Sequence, residues 1–285
     1  MSIFPSRLER FGTVDSTQRI VRGWLDEGTK GVCVAVADEQ LTGRGRLDRD
    51  WTAPPGTALL VSAGFTPRDM PLRHAWRLAA AVVLAMTDAA EAAAGLRDET
   101  LWVKWPNDLV ADGPDGRLLK LAGVLGETRS DADRIATAVI GIGVNVDWPA
   151  ATFPAALAPF MTSLREISGG RPVDRDVLLD GWLARLEPRL EALTAGAFDG
   201  GGWSRRQRTT GRRVEVDLGD RVVSGLAVGV DPESGALLLD PESSDVAVAA
   251  DGAGALLAID SGEVVRCRVV DLPRPTPAGV RPRNG

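Results

Sequence analysis

The residues best suited to chemistry stand together in the stretch from Gly43 to Trp51, whose sequence is GRGRLDRDW. It holds three arginines, two glycines and one tryptophan within nine residues. Each arginine presents a planar guanidinium that binds phosphate or carboxylate through two parallel hydrogen bonds. Glycine lets the backbone approach a ligand closely, and the indole offers a flat face to a ring. The stretch predicts a flexible loop that closes over an anionic, ring-bearing ligand, and the alternative is a solvated surface loop.

The lysines form a second group of candidates, because the chain uses arginine almost everywhere else. Of 33 basic residues, only Lys30, Lys104 and Lys120 are lysines. An ammonium is a compact point charge with an adjustable pKa, unlike a guanidinium. A strand is predicted over residues 101–105, and alternation puts Lys104 on one of its faces beside Trp102. A lysine in this position is poorly explained as a surface charge and indicates a role at a ligand.

The next candidates follow this strand. Pro106 ends it, and Asn107 and Asp108 are residues that often turn the chain. Alternatively, the Asp108 carboxylate pairs with a basic group or helps to hold a divalent metal.

Two further strands are predicted, over residues 120–127 and 138–146, from continuous apolar runs. In the first, alternation places Lys120 on the face of Ala122, Val124 and Gly126, where small residues leave room for a ligand. The second strand forms a slot for a flat group, with two positions lacking a side chain and one amide that donates and accepts. The residues of this slot are Gly141, Gly143 and Asn145.

The segment Asp15-Ser16-Thr17 precedes an amphipathic helix predicted over residues 18–27. Such residues are good N-caps, and capping alone explains them. The competing interpretation is that the Ser16 and Thr17 hydroxyls also face a ligand at the helix N-terminus, where polar and anionic groups are favoured.

Composition and missing motifs exclude several classes of protein. The net charge of −6 argues against wholesale nucleic-acid binding. With His74 as the sole histidine, no Ser/His/Asp triad is plausible, and neither a dinucleotide fingerprint nor a P-loop occurs. Cys33 and Cys267 lack metal-ligand spacing and suit a reducing compartment. No signal peptide is recognisable, and the apolar run 79–94 is too short to span a bilayer, so we expect a cytoplasmic protein.

The order of elements predicts an α+β protein with two domains and a tail. Long helices are predicted over residues 71–95 and 174–195, and a glycine-rich linker over 196–202. Short strands separated by turns follow, one of them over 246–249, and predict a small β-barrel. The resulting limits are a catalytic domain over 1–208, a barrel over 209–270 and a disordered tail over 271–285.

Five of these motifs, in this order, resemble those of the biotin protein ligases. The matching pieces are Asp15 to Thr17, Gln40 with the loop Gly43 to Trp51, Lys104 to Leu109, Lys120 to Glu127, and Gly141 to Asn145. The resemblance covers roughly residues 11–269. It implies a mixed-sheet catalytic domain related to class II aminoacyl-tRNA synthetases, followed by an SH3-like barrel.

The resemblance also implies a two-step reaction in which biotin and ATP form biotinyl-5′-AMP, and a lysine of a biotin carboxyl carrier domain then accepts the biotin. Lys120 and Arg46 are the expected catalytic residues. The residues expected at biotin are Ser16, Thr17, Gln40, Gly43, Arg44 and Lys120. Those expected at ATP or the adenylate are Arg46, Arg49, Trp51, Lys104, Asn107, Asp108, Asn145 and Arg268. Mg²⁺ is the expected metal, and Asp108 is its candidate ligand.

Further expectations follow from comparing the sequence with the family pattern. The family usually has glycine where this chain has Asp48, and often asparagine where it has Gln18. The Ser16-Thr17 motif begins almost at once, so we expect a monofunctional ligase without a DNA-binding domain. The expected partner is a biotin carboxyl carrier protein or acyl-CoA carboxylase subunit, with no DNA and no membrane, and the protein is expected to be a monomer or weak homodimer. Two alternatives stay open: a lipoate or octanoate ligase, and a non-catalytic biotin- or nucleotide-binding regulator on the same scaffold.

Overall fold

The computed structural model describes residues 4–47, 49–67, 69–241 and 256–269. Within these ranges the chain forms twelve strands and five α-helices. The strands are β1 (Arg7–Val14), β2 (Cys33–Gln40), β3 (Ala58–Phe65), β4 (Leu101–Lys104), β5 (Asp108–Asp112), β6 (Leu118–Asp131), β7 (Arg134–Asn145), β8 (Arg212–Asp217), β9 (Val222–Val230), β10 (Leu237–Pro241), β11 (Leu257–Ile259) and β12 (Glu263–Val269). The α-helices are α1 (Thr17–Asp26), α2 (Ala75–Ala93), α3 (Leu164–Ile167), α4 (Arg175–Thr194) and α5 (Gly200–Arg205). Short 3₁₀ turns occupy Leu72–His74, Pro114–Gly116, Ala150–Thr152 and Ala158–Phe160.

The first seven strands form one mixed sheet in the order β1-β2-β3-β7-β6-β5-β4. Strand β1 runs parallel to β2, and the other neighbouring pairs are antiparallel. All eight residues of β3 are buried, which matches its continuous apolar sequence and its central position. The predicted α+β class with a mixed sheet is confirmed.

The two faces of this sheet are covered differently. Helices α2 and α4 pack together over one face, where Leu78 and Trp182 join Val34 and Val36 in the main core. On the opposite face, α1 is the helix of the described residues that contacts β2, β3 and β7, and its Val21 packs against β2 in a smaller cluster. A ten-residue helix is about 15 Å long, so α1 leaves much of this face open.

The last five strands form an antiparallel sheet in the order β11-β10-β9-β8-β12. It is joined tightly to the larger sheet. Val103 of β4 donates to Arg206 O at 2.8 Å, and its carbonyl accepts from Arg208 N at 2.8 Å. Trp105 is held twice, because its backbone N donates to Thr209 Oγ1 at 2.9 Å and its indole donates to Gly235 O at 3.0 Å. The end of β4 is therefore fixed against the C-terminal sheet.

The structure corrects several details of the predicted elements. The helix predicted over 71–95 begins at Ala75 and follows a 3₁₀ turn that contains His74, while Gly95 ends it with a φ of 61°. The predicted linker 196–202 includes the start of α5, because the Asp199 carboxylate accepts a capping hydrogen bond from Gly202 N at 2.7 Å. The strand predicted over 246–249 and the tail over 271–285 lie outside the described residues. The domain limits 1–208 and 209–270 stay predictions.

Both cysteines are free. Burial raises the pKa of the Cys33 and Cys267 thiols, which keeps them protonated near neutral pH. None of the helices in the described residues combines the length and apolar character that crossing a membrane would require.

Candidate active site

A cavity of about 300 Å³ opens on the sheet face that α1 leaves uncovered. Its walls come from the start of α1, the arginine loop, β6, β7 and the first residues of β12. Most residues that the sequence nominated meet here. The nominated residues that line the cavity are Ser16, Thr17, Gln40, Arg44, Arg46, Arg49, Trp51, Lys104, Asn107, Asp108 and Lys120.

One end of the cavity is polar and buried. Thr17 donates to Gln40 Oε1 twice, from its backbone N at 2.8 Å and from its hydroxyl at 3.0 Å. The Ser62 hydroxyl lies 2.7 Å from the Thr17 hydroxyl. Because Thr17 gives its proton to Gln40, Ser62 is the donor in this contact. The network fixes Gln40 Oε1 as an acceptor, so the amide's NH₂ end is left to serve as a donor.

Ser16 and Gln18 complete this polar end. Ser16 occupies the N-cap position of α1, but its side chain makes no capping hydrogen bond and it lines the cavity. Capping alone therefore does not explain it. Gln18 Nε2 donates to Leu125 O at 2.9 Å, and its side chain lies over Gly141, where an added Cβ would stand 3.0 Å from the Gln18 amide carbon. Sequence analysis identified Gln18 only as a departure from the family pattern and did not predict Ser62 as a site residue.

The arginine loop is a short hairpin. Trp51 N donates to Gly43 O at 2.9 Å, and Gly45 N donates to Arg49 O at 2.6 Å. A Cβ on Gly43 would stand 2.4 Å from Trp51 O, so only glycine allows the two strands of the hairpin to approach this closely. Gly43 was nominated for biotin binding, but it shapes the hairpin and does not line the cavity. Asp48 lies outside the described residues.

The predicted slot of Gly141, Gly143 and Asn145 is not formed as a unit, because Gln18 covers Gly141 and the Trp51 side chain lies over Gly143 and Gly123. A Cβ on Gly143 would stand 2.4 Å from Trp51 Nε1, and one on Gly123 would stand 3.1 Å from the edge of the same ring. Trp51 Nε1 is buried and makes no hydrogen bond within the described part of the chain. Lys120 Nζ lies 5.6 Å from the ring centroid, close enough for a cation–π contact.

Lys120 reaches the cavity through a β-bulge. Leu109 pairs with Ala122 and Val110 pairs with Lys120, so Leu121 is an extra residue in β6. The prediction that Lys120 shares a face with Ala122, Val124 and Gly126 is therefore wrong. Lys120 instead shares its face with Gly123, where an added Cβ would lie 3.3 Å from Lys120 Nζ. Ala122 and Val124 pack in the core on the other side of the sheet.

Three of the cations at the other end of the cavity each contact an oxygen of the protein. Lys120 Nζ lies 2.7 Å from Asp108 Oδ1. Lys104 Nζ donates to Val264 O at 2.7 Å, and Arg49 Nη1 donates to Glu263 Oε1 at 2.5 Å. Asp108 was also read as a turn residue, but it opens β5. Glu263 was missed, because nothing in its local sequence places it beside a loop more than 200 residues earlier.

Besides Gly43, two nominated residues do not line the cavity. The Asn145 side chain is buried and donates to Thr162 O at 2.9 Å. Arg268 lies on β12 beyond Val264, is exposed, and does not line the cavity. Within the described ranges, no cluster of three or more His, Cys, Asp or Glu side chains could hold a metal ion.

Comparison with known proteins identifies the family. A model of the biotin/lipoate A/B protein ligase family matches residues 11–145, and one of the biotin protein ligase C-terminal domain matches 209–266. The biotin–[acetyl-CoA-carboxylase] ligase of Mycobacterium tuberculosis is 32% identical over 219 residues, which cover 76% of this chain and 76% of that protein. The chain belongs to the biotin protein ligase family.

Two further relatives support this assignment to the biotin protein ligases. The bifunctional ligase/repressor BirA of Bacillus spizizenii is 30% identical over 231 residues, which cover 80% of this chain and 68% of that protein. The structure of the Aquifex aeolicus biotin protein ligase in complex with biotin and ATP aligns with a TM-score of 0.72 at 27% identity, covering 93% of this chain and 99% of the other. Both matched parts of the chain contribute to one cavity, since residues 11–145 include the hairpin and Lys120, and residues 209–266 include Glu263 and Val264.

Proposed function

We propose that this protein is an ATP-dependent ligase that attaches biotin to a lysine of a carrier protein. In the first step, the biotin carboxylate attacks the α-phosphorus of ATP, pyrophosphate leaves, and biotinyl-5′-AMP forms. In the second step, the lysine amine attacks the acyl carbon of this mixed anhydride and AMP leaves. The observation that carries the proposal is the cavity in which a buried polar end meets a cationic end, in a chain of the biotin protein ligase family.

The polar end is proposed to bind the biotin ring system. A ureido group carries two N–H donors and one carbonyl acceptor, so it needs partners of both kinds. The hydroxyls of Thr17 and Ser62 and the amide of Gln40 can serve as these partners. Ser16 and Arg44 line the same cavity and are assigned to biotin as well.

The cationic end is proposed to bind the nucleotide and to stabilise the charge that develops at the α-phosphate. Adenylation brings a carboxylate against a phosphate, so positioning and charge neutralisation are the main needs of this step. Lys120 and Arg46 are proposed as the catalytic cations, with Arg49 and Lys104 at the remaining phosphates. Trp51, Asn107 and Asp108 are also proposed to bind the nucleotide, because they line the same cavity.

Asn145 and Arg268 lie away from the cavity and are proposed at the nucleotide on the family resemblance alone. Their assignment requires a rearrangement when ligand binds.

Mg²⁺ is proposed to enter with ATP. This ion is usually held by one or two carboxylates together with substrate phosphates. Asp108 fits such a role, because it is a single carboxylate at the cationic end. Binding the ion would weaken its contact with Lys120.

The acceptor is proposed to be a biotin carboxyl carrier domain. A cytoplasmic location is also proposed, and the two free thiols support it.

The experiment that tests the function is pyrophosphate release from MgATP with biotin, lipoate or octanoate as the added acid. We expect release with biotin only, followed by transfer to a purified carrier domain detected by the added mass. Release with lipoate or octanoate in place of biotin would favour the alternative ligase, and no release with any acid would favour a non-catalytic regulator.

A further inference from the structure

One ion pair links the arginine hairpin to the C-terminal sheet. Arg49 Nη1 lies 2.5 Å from Glu263 Oε1, although 214 positions separate the two residues in the chain. The Arg49 side chain is 63% exposed, whereas that of Glu263 is 24% exposed and lines the cavity. The carboxylate is thus part of the cavity wall, and the guanidinium reaches it from the more exposed hairpin.

Among the described residues, this is the one ion pair that the hairpin arginines make. Within the described residues, Arg44 and Arg46 form no ion pair, and the other contacts of the hairpin are backbone hydrogen bonds and the packing of Trp51. Breaking the Arg49–Glu263 pair would therefore release the tip of the hairpin and leave its base in place.

Glu263 is itself firmly held. It pairs with Asp217 of β8, and the next residue, Val264, pairs with Val216 and accepts the hydrogen bond from Lys104. Two consecutive residues of β12 thus bind two cations of the cavity: Glu263 binds Arg49 through its carboxylate, and Val264 binds Lys104 through its carbonyl. Without the Glu263 carboxylate, the Arg49 guanidinium would be free to bind a phosphate.

We propose that Glu263 is a positioning residue that holds Arg49 in the ligand-free protein and gives it up to the nucleotide. The inference rests on the proposed function. A phosphate carries more charge than a carboxylate and binds guanidinium equally well in the two-pronged mode, so ATP competes with Glu263 for Arg49. The pair therefore keeps the hairpin closed on the C-terminal sheet while the site is empty, and it lowers the apparent affinity for ATP.

The first test is limited trypsin digestion of the ligand-free protein, because trypsin cleaves after the arginines of the hairpin. Glu263→Gln keeps the shape of the side chain and removes its charge. We expect cleavage within the hairpin to become about two- to five-fold faster, the range set by a partly exposed ion pair. The matched control is Glu215→Gln, which breaks a similarly exposed pair with Arg266 at 3.1 Å elsewhere on the same sheet, and it should leave hairpin cleavage unchanged.

The second test is steady-state pyrophosphate release. Glu263→Gln should lower the KM for ATP about two- to five-fold and leave the KM for biotin unchanged, a separation that general loss of structure would not produce. The charge-swapped pair Arg49→Glu with Glu263→Arg should restore slow cleavage after Arg46 without restoring the affinity for ATP. Unchanged cleavage in Glu263→Gln, or a higher KM for ATP, would overturn the proposal. The digestion needs no catalysis, so its result stands even if the wild-type protein releases no pyrophosphate, an outcome that would refute only the proposed function.

Discussion

Lys120 Nζ and Asp108 Oδ1 lie 2.7 Å apart on neighbouring strands. The bulge at Leu121 produces this contact, because it turns Lys120 to the cavity side of β6 while Ala122 stays in the core. Asp108 neutralises the ammonium in the ligand-free protein and keeps it at the level of Gly123. An incoming carboxylate or phosphate finds a cation whose position is already set.

The first prediction concerns this ammonium. Lys120→Ala removes the charge that we assign to the reacting carboxylate and α-phosphate, so biotin-dependent pyrophosphate release should fall at least about 100-fold. Partly exposed ion pairs contribute about 1 kcal/mol or less, so the thermal unfolding midpoint should shift little. Lys30→Ala, at an exposed position, is the control and should keep full activity. Wild-type rates of biotin transfer in Lys120→Ala would refute the assignment.

The second prediction concerns the retention of the intermediate. Arg46 lines the cavity from the hairpin and has no ion-pair partner in the described residues, so it is available to the adenylate. Arg46→Gly should release biotinyl-5′-AMP early, and the free adenylate should then label lysines of bystander proteins. Labelling of added serum albumin, followed by a biotin blot, measures this release. Arg117→Gly, at an exposed position outside the cavity, should give no such labelling, and equal retention by Arg46→Gly would exclude a clamping role.

The sequence predicted the candidate site well where the residues concerned are close together in the chain or follow strict strand alternation. The arginine loop and the face of Lys104 are of this kind. Alternation failed at Lys120, since one inserted residue reverses which side chains face the cavity. No periodicity argument detects a bulge whose residues are all compatible with a strand.

Other features depend on tertiary structure alone. Glu263 enters the cavity because the C-terminal sheet docks against β4, and the anchoring of Trp105 by Thr209 and Gly235 fixes that docking. Ser62 lies in a wholly buried strand, where its sequence suggests a core position. Its role emerges only from the 2.7 Å contact with Thr17.

The third prediction tests the buried polar network. Thr17→Val keeps the shape of the side chain but removes its hydroxyl, which donates to Gln40 and accepts from Ser62; the backbone N–H of residue 17 still donates to Gln40. An unsatisfied buried polar group costs about 1–3 kcal/mol, so the KM for biotin should rise about ten-fold or more, with a smaller change for ATP. Thr87→Val is the matched control, because Thr87 is equally buried and donates only to Val83 O within α2, at 2.8 Å. It should affect stability and leave both KM values unchanged, whereas equal effects of the two variants on biotin would contradict the role of Thr17.

The last prediction tests the packing of Trp51 on the sheet. Gly143→Ala places a methyl group 2.4 Å from Trp51 Nε1, and such an overlap forces the indole out of the slot. Overpacking of this kind lowers the free energy of unfolding by about 1–3 kcal/mol. The displaced ring also moves the base of the hairpin, because Trp51 N donates to Gly43 O there. We expect the KM values for both biotin and ATP to rise about ten-fold. Gly229→Ala, in β9, is the control, because its added methyl has no atom within 4 Å and should change neither. Unchanged KM values in Gly143→Ala would mean that the position of the indole has no bearing on ligand binding.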